Sequence, residues 1–277
     1  MENAITSNSF GQILKQWRSQ RNFSQLDLSL ASNVSQRHIS FLESGRANPS
    51  RDMVLNLCVV LDVPLRQRNK MLSAAGFAAV YSEFDLSDAE VAPIRRALEF
   101  TLRQQEPYPA LVIDRYWNQI LVNKGAENLL NWLIGDKTVP AEIGPNLVKL
   151  MLHPQGIRSA VHNWRTVATH LIQRVHRETR MEDPSQQSQS LFNELLTYSG
   201  IEELWRSPAP EDWPGSGTEN WQVPLLSTVF SQFDQQLSFF TTLTTLGTPH
   251  DITLQEIRLE CLFPADDATD ELWRSLF

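Results

Sequence analysis

Two domains of different class are predicted: an all-α domain of five short helices, then an α+β domain whose antiparallel sheet is packed with helices. Three observations carry this expectation. Residues 9 to 76 break into five short apolar-periodic segments, each opened by a capping serine or a proline. Stretches 110–113, 117–122, 225–233, 237–246 and 252–263 have strand-like composition, separated in the middle by a long helical region. Charge is also divided: residues 1–72 hold nine basic and five acidic residues, a balance of +4, and the whole chain is −8, which leaves −12 for the rest. A basic head on an acidic body concentrates nucleic-acid contact on the head.

Ser9-Phe10-Gly11-Gln12 is a capping-box pattern for a first helix, and Phe10, Ile13, Leu14 and Trp17 give it one apolar face. Ser24 and Ser35 are N-caps for the second and third helices. Asn33 falls between them, where the chain needs positive φ, which Asn tolerates better than most residues. Leu28, Val34, Ile39 and Leu42 can then meet inside the angle, leaving Gln36, Arg37 and Ser40 outward with Phe41 beside them. That arrangement is a helix-turn-helix, whose second helix offers its N-terminal side chains to a DNA major groove. Pro49-Ser50 opens a fourth helix, with Val54, Leu57, Cys58 and Leu61 on one side and Cys58 as a small core residue. A fifth runs from about Leu65 to Ala75 and stops at Gly76. The first domain thus spans 1–76.

Residues 77–106 form a connecting region with a long helix. Ser87-Asp88-Ala89-Glu90 is its capping box, and Val91, Ile94, Leu98 and Leu102 form one stripe. Either this helix links the domains as a signalling element or it simply packs on the second domain. Pro107-Tyr108-Pro109 ends it. The second domain, 107–277, opens with a hairpin around Asp114-Arg115, followed by helices from Gly125 to Arg206 with breaks near Pro140, Pro145, Pro154 and Pro184. A Pro- and Gly-rich loop covers Ser207 to Gly217. In the last strand-like stretch Ile257, Leu259, Cys261 and Phe263 alternate with Arg258, Glu260 and Leu262, which predicts burial of the first set. Two strands, helices, then three antiparallel strands is the order of a PAS-like domain.

The stretch Ser24 to Ser50 resembles the Cro/repressor-like (XRE-type) helix-turn-helix: Gln25, Val34, Ser35, Ile39, Ser40, Glu43 and Gly45 fall in register. Ser29 and Ser32 stand where that family usually has Ala, Asn33 where it usually has Gly, and Phe41 on a face that is often polar. The resemblance implies that Arg18 of the first helix pairs with Glu43, assigning Glu43 to architecture. The second half resembles the ligand-binding domain of MmyB-like transcription regulators. Asn69 to Glu83, Tyr108 to Asn123, Asn146 to Trp164 and Leu237 to Asp267 carry this likeness. Within them Leu152-His153-Pro154-x-Gly156, Asn163-Trp164 and Phe263-Pro264-Ala265-Asp266 are the most specific. That resemblance implies a PAS-like sensor and names no effector.

Among candidate DNA contacts, Gln36 and Arg37 stand where a recognition helix meets base edges. Gln pairs bidentately with adenine and Arg with guanine, each contributing about 1–3 kcal/mol of discrimination. Ser35 and Ser40 flank them. His38 reads equally as packed or phosphate-binding, and Phe41 as a thymine-methyl contact or as packing on helix two. Gln25, Arg46 and Asn48 are phosphate candidates by position. In the second domain Trp117, Trp164, Phe239 and Phe240 are candidate pocket lining against a default of plain core. Asn123, His153, Arg158 and Arg174 could anchor a ligand's polar group, against a default of structural hydrogen bonding.

Other classes find no support. The two cysteines, Cys58 and Cys261, build neither a disulfide framework nor a ligand set, and His162, His170 and His176 miss the i, i+4 spacing of a zinc helix. Nucleophile elbow, Walker loop and dinucleotide-binding glycine patterns are missing, and no cofactor is expected. The N-terminus lacks signal-peptide character and no apolar run spans a bilayer, so a cytoplasmic protein without membrane partner is expected. The sequence therefore points to a homodimeric, non-enzymatic transcription regulator that binds double-stranded DNA. Its second domain would sense a small, largely apolar effector, a fatty acid being one class. The alternative is a second domain that serves only dimerisation; an enzyme fused to a DNA-binding head comes third.

Overall fold

The computed structural model describes residues 9–86, 88–181, 186–206, 227–247 and 249–277. The chain forms two compact units, one from residues 1–84 with 248–255, the other from 85–247 with 256–277.

The first unit contains α1 (Phe10–Gln20), α2 (Gln25–Ser32), α3 (Gln36–Glu43), α4 (Arg51–Val60) and α5 (Leu65–Ala74). Serine caps set the starts of three of them. Ser24, Ser35 and Ser50 accept from the backbone N–H of Asp27 (3.0 Å), His38 (3.3 Å) and Met53 (3.2 Å). Such caps contribute about 1 kcal/mol each. Asn33 takes the turn at φ 56°, as its position between α2 and α3 requires. The core behind the turn is Leu14, Leu28, Ile39, Leu42, Leu57 and Cys58, all at 0–1% exposure. Burial pushes the Cys58 thiol up to about 12, so it behaves as a small apolar side chain.

An ion pair locks α3 in orientation. Arg18 Nε and Nη2 donate to the two oxygens of Glu43 at 2.6 and 3.0 Å, while Arg18 Nη1 donates to the Phe23 carbonyl at 2.8 Å. Beside them α1 approaches the end of α3 so closely that a Cβ on Gly11 would lie 2.3 Å from the Leu42 carbonyl oxygen. Only glycine fits there.

One feature of this unit comes from far along the chain. Pro64 has no N–H and no side chain with which to cap α5. The first N–H of that helix, on Leu65, instead donates to Gln255 Oε1 at 2.7 Å. Residues 249–255 are fastened alongside by Ile252 N–H to the Ser82 carbonyl (3.0 Å) and Thr253 Oγ1 to the Phe84 carbonyl (2.7 Å).

The second unit begins with α6 (Ala92–Gln104), β1 (Ala110–Ile113), β2 (Gln119–Val122) and α7 (Lys124–Ile134). Then come α8 (Leu147–Leu152), α9 (Trp164–Met181), α10 (Gln186–Leu196) and α11 (Ile201–Arg206). It closes with β3 (Ser227–Gln232), β4 (Gln235–Thr244), α12 (Ile252–Glu256, of which Glu256 belongs here), β5 (Arg258–Pro264) and α13 (Asp267–Leu276). The five strands form one antiparallel sheet in the order β2-β1-β5-β4-β3, so β5 joins the opening hairpin to the closing one. This is the α+β architecture, antiparallel sheet packed with helices, that the order of segments predicts. Trp273 of α13 is fully buried, edge-on to Phe239 of β4 at 5.5 Å, and donates from Nε1 to the Pro107 carbonyl at 3.0 Å.

Two expectations need correcting. The stretch 252–263 is not one strand: Asp251 Oδ1 accepts from the Leu254 N–H at 3.1 Å and starts α12, and the strand begins only at Arg258. Nor does β5 bury one face alone. Leu259, Glu260 and Cys261 are all buried in succession, because both faces of the sheet's central strand are covered. The Ser87 cap, the Pro184 break, the Ser207–Gly217 loop and the first residues of the 225–233 stretch lie outside the described residues.

Gly11→Ala is expected to lower the urea midpoint of the first unit's unfolding, by about 2 kcal/mol of overpacking at a contact that cannot relax without shifting α3. A wild-type midpoint would show that α1 and α3 have room to part.

Candidate functional site

In the first unit the capped, ion-paired α3 presents one polar surface. Ser35, Gln36 and Arg37 are exposed at its N-terminal turn, His38, Ser40 and Phe41 are half-buried, and Arg46 and Asn48 are exposed in the loop that follows. The Arg37 guanidinium stands 5.3 Å from the centre of the Phe41 ring one turn on, a cation–π contact that steadies it at the surface. Gln25 is differently placed: its Nε2 donates to Glu43 Oε2 at 2.8 Å, so its side chain is engaged in the Arg18–Glu43 cluster.

The second unit holds a partly open cavity of about 410 Å³, within the size range of small-molecule sites. Its apolar wall is aliphatic. Leu129, Leu130 and Leu133 come from α7, Leu147, Leu150 and Met151 from α8, Val167 and Leu171 from α9. The sheet contributes Leu111, Phe230, Leu243 and Leu262. A Cβ on Gly156 would meet the Leu150 carbonyl oxygen at 2.1 Å, so the chain after α8 turns back tightly beneath this wall.

Set into the wall are Gln119, His170, Arg174, Arg177 and Glu260, with Trp117. Arg174 and Glu260 belong to a half-buried ladder of charges, of which Glu260 is the fully buried member. Glu178 accepts from Arg174 Nε (2.9 Å), Arg258 Nη1 (2.6 Å) and Trp117 Nε1 (3.0 Å). Arg174 Nη1 lies 3.7 Å from Glu260 Oε1, and its guanidinium covers the Trp117 ring at 4.5 Å. Burial raises the Glu260 carboxyl above its ordinary 4.5, against the pull of Arg174 and Arg258. Burial likewise lowers the His170 imidazole.

Of the eight candidate ligand residues, Trp117 and Arg174 meet at the cavity and the other six are placed elsewhere. Asn123 caps α7, its Oδ1 accepting from Ala126 and Ala110 N–H (both 2.9 Å) and its Nδ2 donating to the Tyr108 carbonyl (2.8 Å). His153 is edge-on to Tyr198 at 4.8 Å. Arg158 lies 3.4 Å above the Trp164 ring and donates to the Ser199 carbonyl at 2.7 Å, and Trp164 Nε1 donates to the Met151 carbonyl. Phe239 packs on Trp273, and Phe240 stacks on Phe263 at 5.4 Å. Apart from Trp117 the cavity is not marked by aromatic residues in the sequence, because its wall is leucine-rich and has the pattern of a core. A usable signal was present in α9. Val167, His170, Leu171 and Arg174 recur at i, i+3, i+4 and i+7, which puts polar groups on the helix's apolar face. Glu260, in the middle of the central strand, is the same signal in the sheet.

Among the described residues no group of three or more His, Cys, Asp or Glu could hold a metal ion, and no helix is long and apolar enough to cross a membrane.

The model of the MmyB-like transcription regulator ligand binding domain matches residues 94–276, and a helix-turn-helix model matches residues 14–67. No curated protein matches the chain. Among solved structures, an RNA-binding light-oxygen-voltage receptor aligns with 99% of this chain at 12% identity and a TM-score of 0.28. The chain spans 62% of that structure's length.

Glu260→Gln offers a pH test of the cavity wall. A carboxyl whose folded pKa is raised binds its proton more tightly when folded, so the group's contribution to stability falls as pH rises above about 4.5. The substitution is therefore expected to flatten that fall and to raise the urea midpoint at pH 7 relative to wild type. Parallel curves for the two proteins from pH 4 to pH 8 would contradict the burial argument.

Proposed function

Because the chain belongs to the MmyB-like transcription regulators, DNA-binding proteins with a ligand-binding C-terminal domain, we propose that the 410 Å³ cavity of the second unit binds an elongated, largely apolar effector. The cavity is the observation that carries this reading. A second domain built only for pairing has no need of a leucine-lined hollow, and apolar surface left unpacked there forgoes burial and dispersion energy. Each methylene moved from water into it contributes about 0.8 kcal/mol. The polar lining group Arg174, with His170 and Arg177 on the same helix, supports an effector with one polar terminus, such as a fatty acid.

On the DNA side we assign Gln36 and Arg37 to base reading, and Ser35, Ser40, Arg46 and Asn48 to the groove and the flanking phosphates. The exposure of Ser35, Gln36, Arg37, Arg46 and Asn48, with Ser40 half-buried on the same helix, supports this. A single recognition helix buries too little surface for operator affinity. We therefore read the protein as a homodimer on two half-sites about 34–36 Å apart.

Dodecanoate and dodecanol at saturation are expected to raise the thermal midpoint of the full chain, by about 2.7 kcal/mol of linkage at a hundredfold excess over Kd. Val167→Trp, which fills the cavity, is expected to abolish that gain. No shift with either probe would end the effector reading. For DNA, Gln36→Ala and Arg37→Ala should narrow the gap between operator and random duplexes at fixed salt by about tenfold each. Arg46→Ala should weaken both duplexes alike. Equal losses on both duplexes for the α3 variants would remove them from base reading.

A further inference from the structure

One acid interrupts the sheet wall of the cavity. Strand pairing sets Val122, Leu111, Glu260 and Leu243 side by side in one cross-strand row, and all four line the hollow. Three of them are aliphatic. The fourth carries a carboxyl at 5% exposure that accepts no hydrogen bond from the described residues. Arg174 Nη1 stands 3.7 Å from its Oε1, too far for a hydrogen bond. Among the described residues Arg174 is hydrogen-bonded through Nε alone, to Glu178. An acid and a guanidinium thus face the cavity with bonding capacity to spare, in a setting where unmade bonds are costly.

Both walls run from a polar mouth to an apolar floor. Along α9 the lining passes from exposed Arg177 through half-buried Arg174 and His170 to buried Val167. On the sheet, exposed Leu243 and Thr241 give way to buried Phe230. We propose that Glu260 and Arg174 form a hydroxyl subsite, which makes the effector a hydroxylated acyl chain. Its carboxylate lies at Arg177, its hydroxyl between Glu260 and Arg174, and its tail on the floor. This rests on the effector reading above. The hydroxyl donates to Glu260 and accepts from Arg174 Nη1; an oxygen about 2.8 Å from each bridges the gap between them. A methylene in that place would leave both groups unbonded. Arg177 has no ion pair among the described residues, so its charge is open to a carboxylate. It follows Arg174 by three residues, a rise of about 4.5 Å, which is the reach from a carboxylate to a hydroxyl on the third carbon.

Titration calorimetry of the full chain with dodecanoate, 3-hydroxydodecanoate and 12-hydroxydodecanoate tests the subsite. Wild type is expected to bind the 3-hydroxy probe about tenfold more tightly than dodecanoate. The 12-hydroxy probe should bind about tenfold less tightly than dodecanoate, because its hydroxyl is buried in the floor without a partner. Glu260→Leu completes the aliphatic row and should bring the 3-hydroxy preference below about twofold, while Glu260→Gln, which keeps an acceptor, should retain most of it. Equal affinity of wild type for dodecanoate and the 3-hydroxy probe overturns the subsite and leaves the effector reading standing. So does a preference that survives in Glu260→Leu, or equal affinity for the two hydroxylated probes. Binding of none of the three strikes the effector reading and the subsite with it.

Discussion

A carboxylate withdrawn from most of its water needs donors around it, and the second unit has a half-buried one that receives three. Glu178 draws Arg174 from its own helix, Arg258 from the central strand and Trp117 from the turn between β1 and β2. Those three partners fix α9 against the middle of the sheet. Removing the carboxylate would leave two half-buried guanidinium groups without their shared acceptor, a loss of about 1–3 kcal/mol. The same cluster borders the apolar hollow, since Trp117, Arg174 and Glu260 line it together with the leucines of α7 and α8.

The first unit obeys the same rule on a smaller scale. Glu43 sits at the end of α3 between Arg18 and Gln25, and Gly11 removes the side chain that would keep α1 away. With its C-terminal end clamped, α3 offers its N-terminal turn in a fixed orientation. In each unit a largely buried acid therefore fixes the orientation of the elements packed around it.

How much of this could be read from the sequence depended on how local each cause is. Serine caps, the positive-φ Asn33 and the apolar stripe of Leu28, Ile39 and Leu42 act within a few residues, so the five helices and the turn were legible with their boundaries. The Arg18–Glu43 pair was reached through family likeness, since nothing in either residue's neighbourhood announces a partner 25 positions away. Strand order in the second domain was legible, but residues 252–256 were mistaken for strand because Ile and Leu there satisfy either reading; a single aspartate, Asp251, decides for helix. The cavity was least legible. Leucines that line a space and leucines that fill one have the same periodicity, and of the aromatic residues expected to line it only Trp117 does, while Trp164, Phe239 and Phe240 lie outside the lining, Phe239 packed on Trp273.

Several residues defy the pattern of the element that holds them. Glu260 breaks the alternation of β5, Arg174 and His170 break the apolar face of α9, and Pro64 begins a helix it cannot cap. Each is a local inconsistency that a distant residue compensates: Arg174 for Glu260, and Gln255 for Pro64. Natural sequences keep such conflicts where their removal would cost something other than stability. Pro64 is such a conflict within the first unit: it cannot cap α5, and the exposed end of that helix is met by a residue far along the chain, Gln255, whose Oε1 accepts from the Leu65 N–H at 2.7 Å.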